Sequence, residues 1–98
     1  MLVVIATLPG KSDKREEIAT ALSKAAAASR GDAGCLSYAF HRDLENPDRY
    51  VSVEVWEDQA SLDAHFTTPH IGELFAVAGD LLDGEVAITT YETDGPKA

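Results

Sequence analysis

Apolar and polar residues alternate, or run on as apolar blocks, along four stretches of the chain, which predicts four β-strands. The first stretch, Leu2 to Leu8, is apolar almost throughout and is typical of a central strand covered on both faces. The other three are Cys35 to Arg42, Arg49 to Trp56 and Glu85 to Tyr91. Asn46-Pro47-Asp48 is turn chemistry, so the second and third strands are expected to form an antiparallel hairpin.

The phase of the alternation predicts which side chains share a face of each strand. In the second strand Leu36, Tyr38 and Phe40 are expected on one face, and Cys35 and His41 on the other. An error of one residue would move every side chain to the wrong face.

A helix is predicted between the first two strands, because apolar residues there recur at helical spacing. Ile18, Leu22 and the alanine run 25–28 form its apolar stripe. Ser12 or Asp13 is expected to cap its N-terminus, and Asp13 with Glu16 three residues later makes a capping pair.

Two short helices are predicted after the third strand. Leu62, His65 and Phe66 lie on one stripe of the first. Thr68 is expected to cap the second, which Pro69 begins, since proline at the first helical position loses no hydrogen bond.

The resulting order β-α-β-β-α-α-β predicts an α+β fold of the ferredoxin-like, split β-α-β type, with an antiparallel sheet and helices on one face. Residues 1–92 are expected to form one domain, and residues 93–98 a polar tail. The strands carry apolar residues on both faces, so packing of the bare sheet face against a second copy is expected, giving a homodimer.

Composition narrows the function classes. The 98-residue chain has a formal net charge of −9, which makes nucleic acid and anionic membrane surfaces improbable partners. It has no apolar run approaching the ~20 residues of a membrane span. The single cysteine, Cys35, excludes an internal disulfide framework and fits a cytoplasmic location.

Three motifs together resemble the antibiotic biosynthesis monooxygenase family. They are G-C-L-S-Y at Gly34 to Tyr38, E-x-W at Glu54 to Trp56, and A-H-F-T-T-P-H at Ala64 to His70, after the opening strand. The resemblance is greatest to the small quinol-monooxygenase-like members and implies a dimeric α+β barrel.

This resemblance implies a cofactor-independent monooxygenase that acts on a small quinol or hydroxylated aromatic, with dioxygen as co-substrate and without flavin, haem or metal. The protein would supply an apolar pocket, a proton acceptor and exclusion of water. The residues expected to line the pocket, between sheet and helices, are Thr7, Ser52, Glu54, Trp56, His65, Phe66, His70 and Phe75.

His65 and His70 are the expected catalytic residues. His65 is favoured as general base because imidazole accepts protons near neutral pH and its stripe aims it at the sheet. The alternative for His65 is a buried imidazole satisfied by a backbone carbonyl, and for His70 a helix-start residue packed on the preceding turn. Trp56 is either an aromatic wall or a core residue, and Glu54 either a pocket carboxylate or part of an ion pair.

A metal or haem site is not expected. The spacing of five between His65 and His70 does not place both on one helix face, and Pro69 interrupts the helix. The haem-degrading branch of the family uses an Asn, a Trp and a His where this chain has Thr7, His65 and Phe75.

Two other functions remain open. One is an isomerase or lyase acting on a small oxygenated metabolite, because the Thr67 to His70 segment also resembles signal-processing relatives of the family. The other is a non-catalytic, dimeric small-molecule-binding protein.

Overall fold

Four strands form one antiparallel sheet in the computed structural model, which describes residues 1–97. They are β1 (Leu2–Pro9), β2 (Cys35–Arg42), β3 (Arg49–Trp56) and β4 (Ala87–Glu92), in the spatial order β2-β3-β1-β4. The apolar strand β1 lies inside the sheet, between β3 and β4, as its composition predicts. Of the predicted tail, Ala98 lies outside the described residues.

Three helices pack on one face of this sheet. They are α1 (Arg15–Ser29), α2 (Gln59–Phe66) and α3 (Pro69–Leu81). The predicted order of elements and the α+β ferredoxin-like fold are confirmed. The last strand begins at Ala87 rather than Glu85, two residues later than the alternation indicated.

The core lies between the helices and the even-numbered residues of β1. Leu2, Val4, Ala6 and Leu8 are all buried, whereas the odd-numbered residues face away from the helices. Two apolar clusters divide this layer: one surrounds Trp56, and the other includes the α1 stripe and Tyr50. Burying one large aliphatic side chain contributes about 1.5–3 kcal/mol, so this layer dominates the stability of the sheet–helix packing.

A β-bulge at the start of β2 makes the predicted face of Leu36 wrong. Cys35 lies opposite Trp56, and the register then shifts so that Ser37 lies opposite Val55. The extra residue displaces the alternation by one, so Cys35 packs against the core while Leu36 is 48% exposed. Tyr38 and the rest of the strand face as predicted.

The first helix begins differently from the prediction, and the second has a cap that was not predicted. Asp13 forms no capping pair, because a 3₁₀ turn at Ser12–Lys14 leads directly into α1. At α2, Asp58 is the cap, and its carboxylate accepts from the Ser61 backbone N–H at 2.8 Å.

The start of α3 is confirmed in part. Thr68 occupies the cap position with extended backbone, and Pro69 lies in the first turn. The Thr68 hydroxyl, however, donates to the carbonyl of His65 at 2.7 Å instead of capping α3. This bond ties the end of α2 to the start of α3.

Within residues 1–97, no helix has the length and apolar character needed to cross a bilayer.

Gly34 is expected to be essential for joining β2 to the helical layer. Its φ is +79°, which side chains with a Cβ disfavour, and a Cβ there would collide with the Ser61 side chain. Gly34→Ala should therefore lower the free energy of unfolding by about 2 kcal/mol or more, measured by urea denaturation.

Gly72→Ala is the matched control, because Gly72 lies within α3 and a Cβ there meets nothing within 4 Å. It should be neutral or stabilising by up to about 1 kcal/mol, since alanine is the better helix former. Equal effects of the two substitutions would contradict this account of the β2 entry.

Candidate active site

A cavity lies between the sheet and the helices. The cavity has a volume of about 60 Å³ and opens to solvent. Its floor is the core face of the sheet, and α1, α2 and α3 contribute the walls. The lining residues are Val4, Ala6, Leu8, Ile18, Ala21, Leu22, Tyr38, Phe40, Ser52, Glu54, His65, Phe66, Ile71, Leu74, Phe75, Ala78, Leu81, Leu82, Val86 and Ile88.

Most of this lining is aliphatic or aromatic, and few side chains bring polar atoms to it. The polar ones are Tyr38, Ser52, Glu54 and His65. Such a wall, with a few placed polar groups, is typical of a small-molecule site.

His65 and His70 converge on one carboxylate oxygen, although they belong to different helices. Asp32 Oδ2 lies 2.8 Å from His65 Nδ1 and 2.9 Å from His70 Nε2. Asp32 follows α1, so this oxygen joins three segments of the chain. The His65 side chain is only 2% exposed, whereas the side chains of Asp32 and His70 are 14% and 19% exposed.

These two contacts define which nitrogen of each ring carries hydrogen. An ionised carboxylate can only accept hydrogen bonds, so His65 donates from Nδ1 and His70 from Nε2. In its neutral form, His65 therefore carries its lone pair on Nε2. A carboxylate bonded to one ring nitrogen, with the other free to accept a proton, is the arrangement of a general base.

Aromatic rings hold His65 in place. The ring centroid of Trp56 is 4.6 Å from that of His65, and the Tyr38 centroid is 5.4 Å away. The ring centroid of Phe66 is 5.5 Å from that of His65. Because the imidazole is packed in this way and bonded to Asp32, little reorientation is needed before a proton transfer.

The carboxylate of Glu54 borders the cavity directly. Glu54, in the middle of β3, is 4% exposed and accepts two hydrogen bonds. Ser52 donates from Oγ at 2.8 Å, and Trp56 donates from Nε1 at 3.0 Å. Trp56 therefore contacts both Glu54 and His65: its indole N–H donates to the carboxylate, and its ring packs on the imidazole.

Tyr38 also borders the cavity, opposite Glu54 in the sheet register and 5.4 Å from His65 between ring centroids. Burial raises the pKa of its phenol well above the usual range, and the neighbouring Glu54 carboxylate raises the pKa further. Tyr38 is therefore a neutral wall of the cavity at physiological pH and cannot serve as a base.

Five of the eight residues expected to line the pocket border the cavity: Ser52, Glu54, His65, Phe66 and Phe75. Thr7 does not, because the odd-numbered residues of β1 face away from the helices. Trp56 is fully buried behind the wall, where it supports His65 and Glu54. His70 is outside the cavity, facing a shallow groove between α1 and α3.

Asp32 is a site residue that the sequence did not predict. It is 33 residues from His65 and 38 from His70, so no local spacing connects them. An acidic residue in the loop before a strand was the only available signal, and such residues are common in loops.

The two histidines also bear on metal binding. The ligand atoms of Asp32, His65 and His70 lie within 4.8 Å of one another. The expectation that spacing would keep the histidines apart is wrong, since two helices bring them together. A metal at this point would have to displace the proton from each of the two donating nitrogens, which the hydrogen bonds to Asp32 stabilise.

The sequence matches the antibiotic biosynthesis monooxygenase family over residues 1–77. A protein of Escherichia coli named "Probable quinol monooxygenase YgiN" is 34% identical, with 90% of this chain and 95% of that protein covered. An uncharacterised protein of Synechocystis is also 34% identical over 93% of this chain, which spans only 62% of its length.

Solved structures show the same fold. PA3566 from Pseudomonas aeruginosa superposes with a TM-score of 0.88 at 30% identity, covering 96% of this chain and 94% of that one. Rv0793 from Mycobacterium tuberculosis gives 0.90 at 26% identity, covering 99% and 98%. The chain therefore belongs to the antibiotic biosynthesis monooxygenase family.

Replacing Asp32 should destabilise the site, because two imidazoles lose a charged acceptor in a largely buried position. Asp32→Ala is expected to lower the free energy of unfolding by about 1–3 kcal/mol, measured by urea denaturation. Asp63→Ala is the matched control: Asp63 is exposed and accepts only from Gln59, and its loss should cost less than about 0.5 kcal/mol. Similar losses in both variants would show that the carboxylate does not hold the two histidines.

Proposed function

We propose that this protein is a cofactor-independent monooxygenase that acts on a small quinol or hydroxylated aromatic, with dioxygen as co-substrate. The observation that carries the proposal is the Asp32–His65 pair, whose imidazole borders a mainly apolar cavity. The name of the Escherichia coli relative, a quinol monooxygenase, agrees with this reading.

The first step is removal of a hydroxyl proton by His65 Nε2. The resulting imidazolium is stabilised by the Asp32 carboxylate on Nδ1. The deprotonated aromatic ring is electron-rich and passes an electron to dioxygen, and the two radicals then combine. One oxygen atom ends on the ring and the other leaves as water, with the substrate supplying the electrons that reduce it.

The apolar walls favour this chemistry by excluding water, which strengthens the electrostatic interactions at the reacting groups. The cavity is narrow for an aromatic ring, and the side chains able to widen it are at its mouth. Phe66 is 40% exposed and Phe75 is 52% exposed. Both can change rotamer without disrupting the buried layer, so substrate entry requires movement of these rings rather than of the sheet.

The same base would also serve an isomerase or lyase, because proton removal beside a carbonyl needs no dioxygen. The Asp32–His65 geometry is common to both reactions. The dependence of turnover on dioxygen separates them, and a protein that only binds its ligand would show no turnover under either condition.

We also propose a homodimer formed by the outer face of the sheet. Ile5 and Val53 are cross-strand partners on this face and are 36% and 39% exposed. Tyr91 on β4 is 54% exposed, and the displaced Leu36 adds a further apolar side chain. A row of exposed apolar side chains across a sheet face is typical of an association surface.

His65→Ala is expected to slow catalysis strongly. General-base contributions are typically ~10²–10⁴-fold, so the rate of oxygen uptake with a panel of small quinols should fall by at least about 100-fold. The assay compares aerobic and anaerobic incubations with an enzyme-free reaction.

His41→Ala is the control, because His41 is exposed near the end of β2, away from the cavity. It should retain the unaltered rate. A His65→Ala protein as active as the His41→Ala protein would remove His65 from the mechanism, and identical product rates with and without the unaltered protein would end the oxygenation proposal.

Val53→Lys should convert the dimer to a monomer, because it places a charge in the centre of the outer face. Light scattering at micromolar concentration should give twice the 10.5 kDa chain mass for the unaltered protein and the chain mass for the variant. Val77→Lys, at an equally exposed position on α3, should remain dimeric. A monomeric mass for the unaltered protein would refute the association.

A further inference from the structure

Glu54 is a buried carboxylate whose hydrogen-bonding capacity is only partly used. Its two donors, Ser52 and Trp56, are both neutral, and each bonds to a different oxygen. Among residues 1–97, no basic side chain forms an ion pair with it. A carboxylate has about four lone-pair positions, so roughly two remain unused.

Burying a carboxylate without a cation is costly unless its oxygens are well solvated by donors. Glu54 borders the cavity, and most of the other side chains that border it are apolar and cannot donate. A ligand that brings a hydrogen-bond donor to this wall would therefore complete the solvation of the carboxylate.

Glu54 and His65 are close neighbours on the cavity wall. The indole of Trp56 donates to Glu54 while its ring lies 4.6 Å from the ring of His65. Tyr38 lies opposite Glu54 in the register of the sheet, and its ring is 5.4 Å from His65. A small aromatic molecule in the cavity therefore meets a wall that carries both polar side chains.

Resting on the function proposed above, we infer that Glu54 determines specificity by accepting a hydrogen bond from a second hydroxyl group of the substrate. His65 acts on the hydroxyl that loses its proton, and Glu54 binds the other. Among the quinols and hydroxylated aromatics proposed above, this contact selects aromatic diols over monophenols. An ether oxygen in place of the second hydroxyl would set its lone pairs against the carboxylate, so the site discriminates between them by attraction and by repulsion.

The test is binding under anaerobic conditions, by calorimetry, of hydroquinone, its monomethyl ether and benzylammonium. The unaltered protein should bind hydroquinone about tenfold or more tightly than the ether, as expected for a hydrogen bond to a charged group. Glu54→Gln keeps the shape of the side chain but removes the charge, and should reduce this ratio to about two or less. Glu57→Gln, at an exposed carboxylate just after β3, should preserve the ratio of the unaltered protein.

Three results would overturn the inference: no hydroquinone binding at millimolar concentration, equal ratios in the unaltered and Glu54→Gln proteins, or tighter binding of benzylammonium than of hydroquinone. If Glu54→Gln does not fold, the unaltered protein decides, because equal affinities for hydroquinone and its ether also overturn the inference.

The binding assay needs no turnover, so it separates this inference from the proposed function. A Glu54-dependent preference without catalysed oxygen uptake would leave the role of Glu54 standing and end the oxygenase proposal. Catalysed oxygen uptake, with the same hydroquinone-to-ether binding ratio in the unaltered and Glu54→Gln proteins, would support the oxygenase proposal and end the role of Glu54.

Discussion

The shared oxygen of Asp32 is the interaction on which the site depends. One carboxylate oxygen accepts from His65 on α2 and from His70 on α3, and so connects the loop after α1 to both short helices. Both helices also have apolar contacts with the core, through the buried Leu62 of α2 and through Ile71 and Leu74 of α3. The two hydrogen bonds add to this packing, and they orient the candidate base relative to the loop after α1.

The second constraint is the alternation of β3, which places three polar or amphipathic residues on the core face. Within this strand, Glu54 accepts hydrogen bonds from Ser52 and Trp56. The indole ring of Trp56 also packs against the imidazole of His65. The result is a mainly apolar cavity with two separated acceptors, the free nitrogen of His65 and the carboxylate of Glu54. The donors to Glu54 are two neutral groups, the Ser52 hydroxyl and the Trp56 indole.

The fold was predictable because its strands and helices follow local periodicity, and the burial of Leu2 through Leu8 follows the same rule. The same alternation turns Thr7, an odd-numbered residue of β1, away from the cavity, although Thr7 was expected to line the pocket. The bulge at Leu36 and the convergence on Asp32 were beyond local patterns. The first depends on pairing with β3, and the second joins residues 33 and 38 positions apart in the chain. Local periodicity therefore placed the side chains of regular strand segments, and it failed at the bulge in β2 and for contacts between elements.

The central claim is that Asp32 holds neutral His65 with hydrogen on Nδ1 and a free lone pair on Nε2. Long-range ¹H–¹⁵N correlation spectra of the imidazole side chains report this tautomer directly. At neutral pH the account predicts the Nδ1–H form for His65 in the unaltered protein and loss of that preference in Asp32→Ala. A protonated Nε2 and a bare Nδ1 in the unaltered protein would contradict it, because His65 could then neither donate to Asp32 nor accept a proton from the substrate.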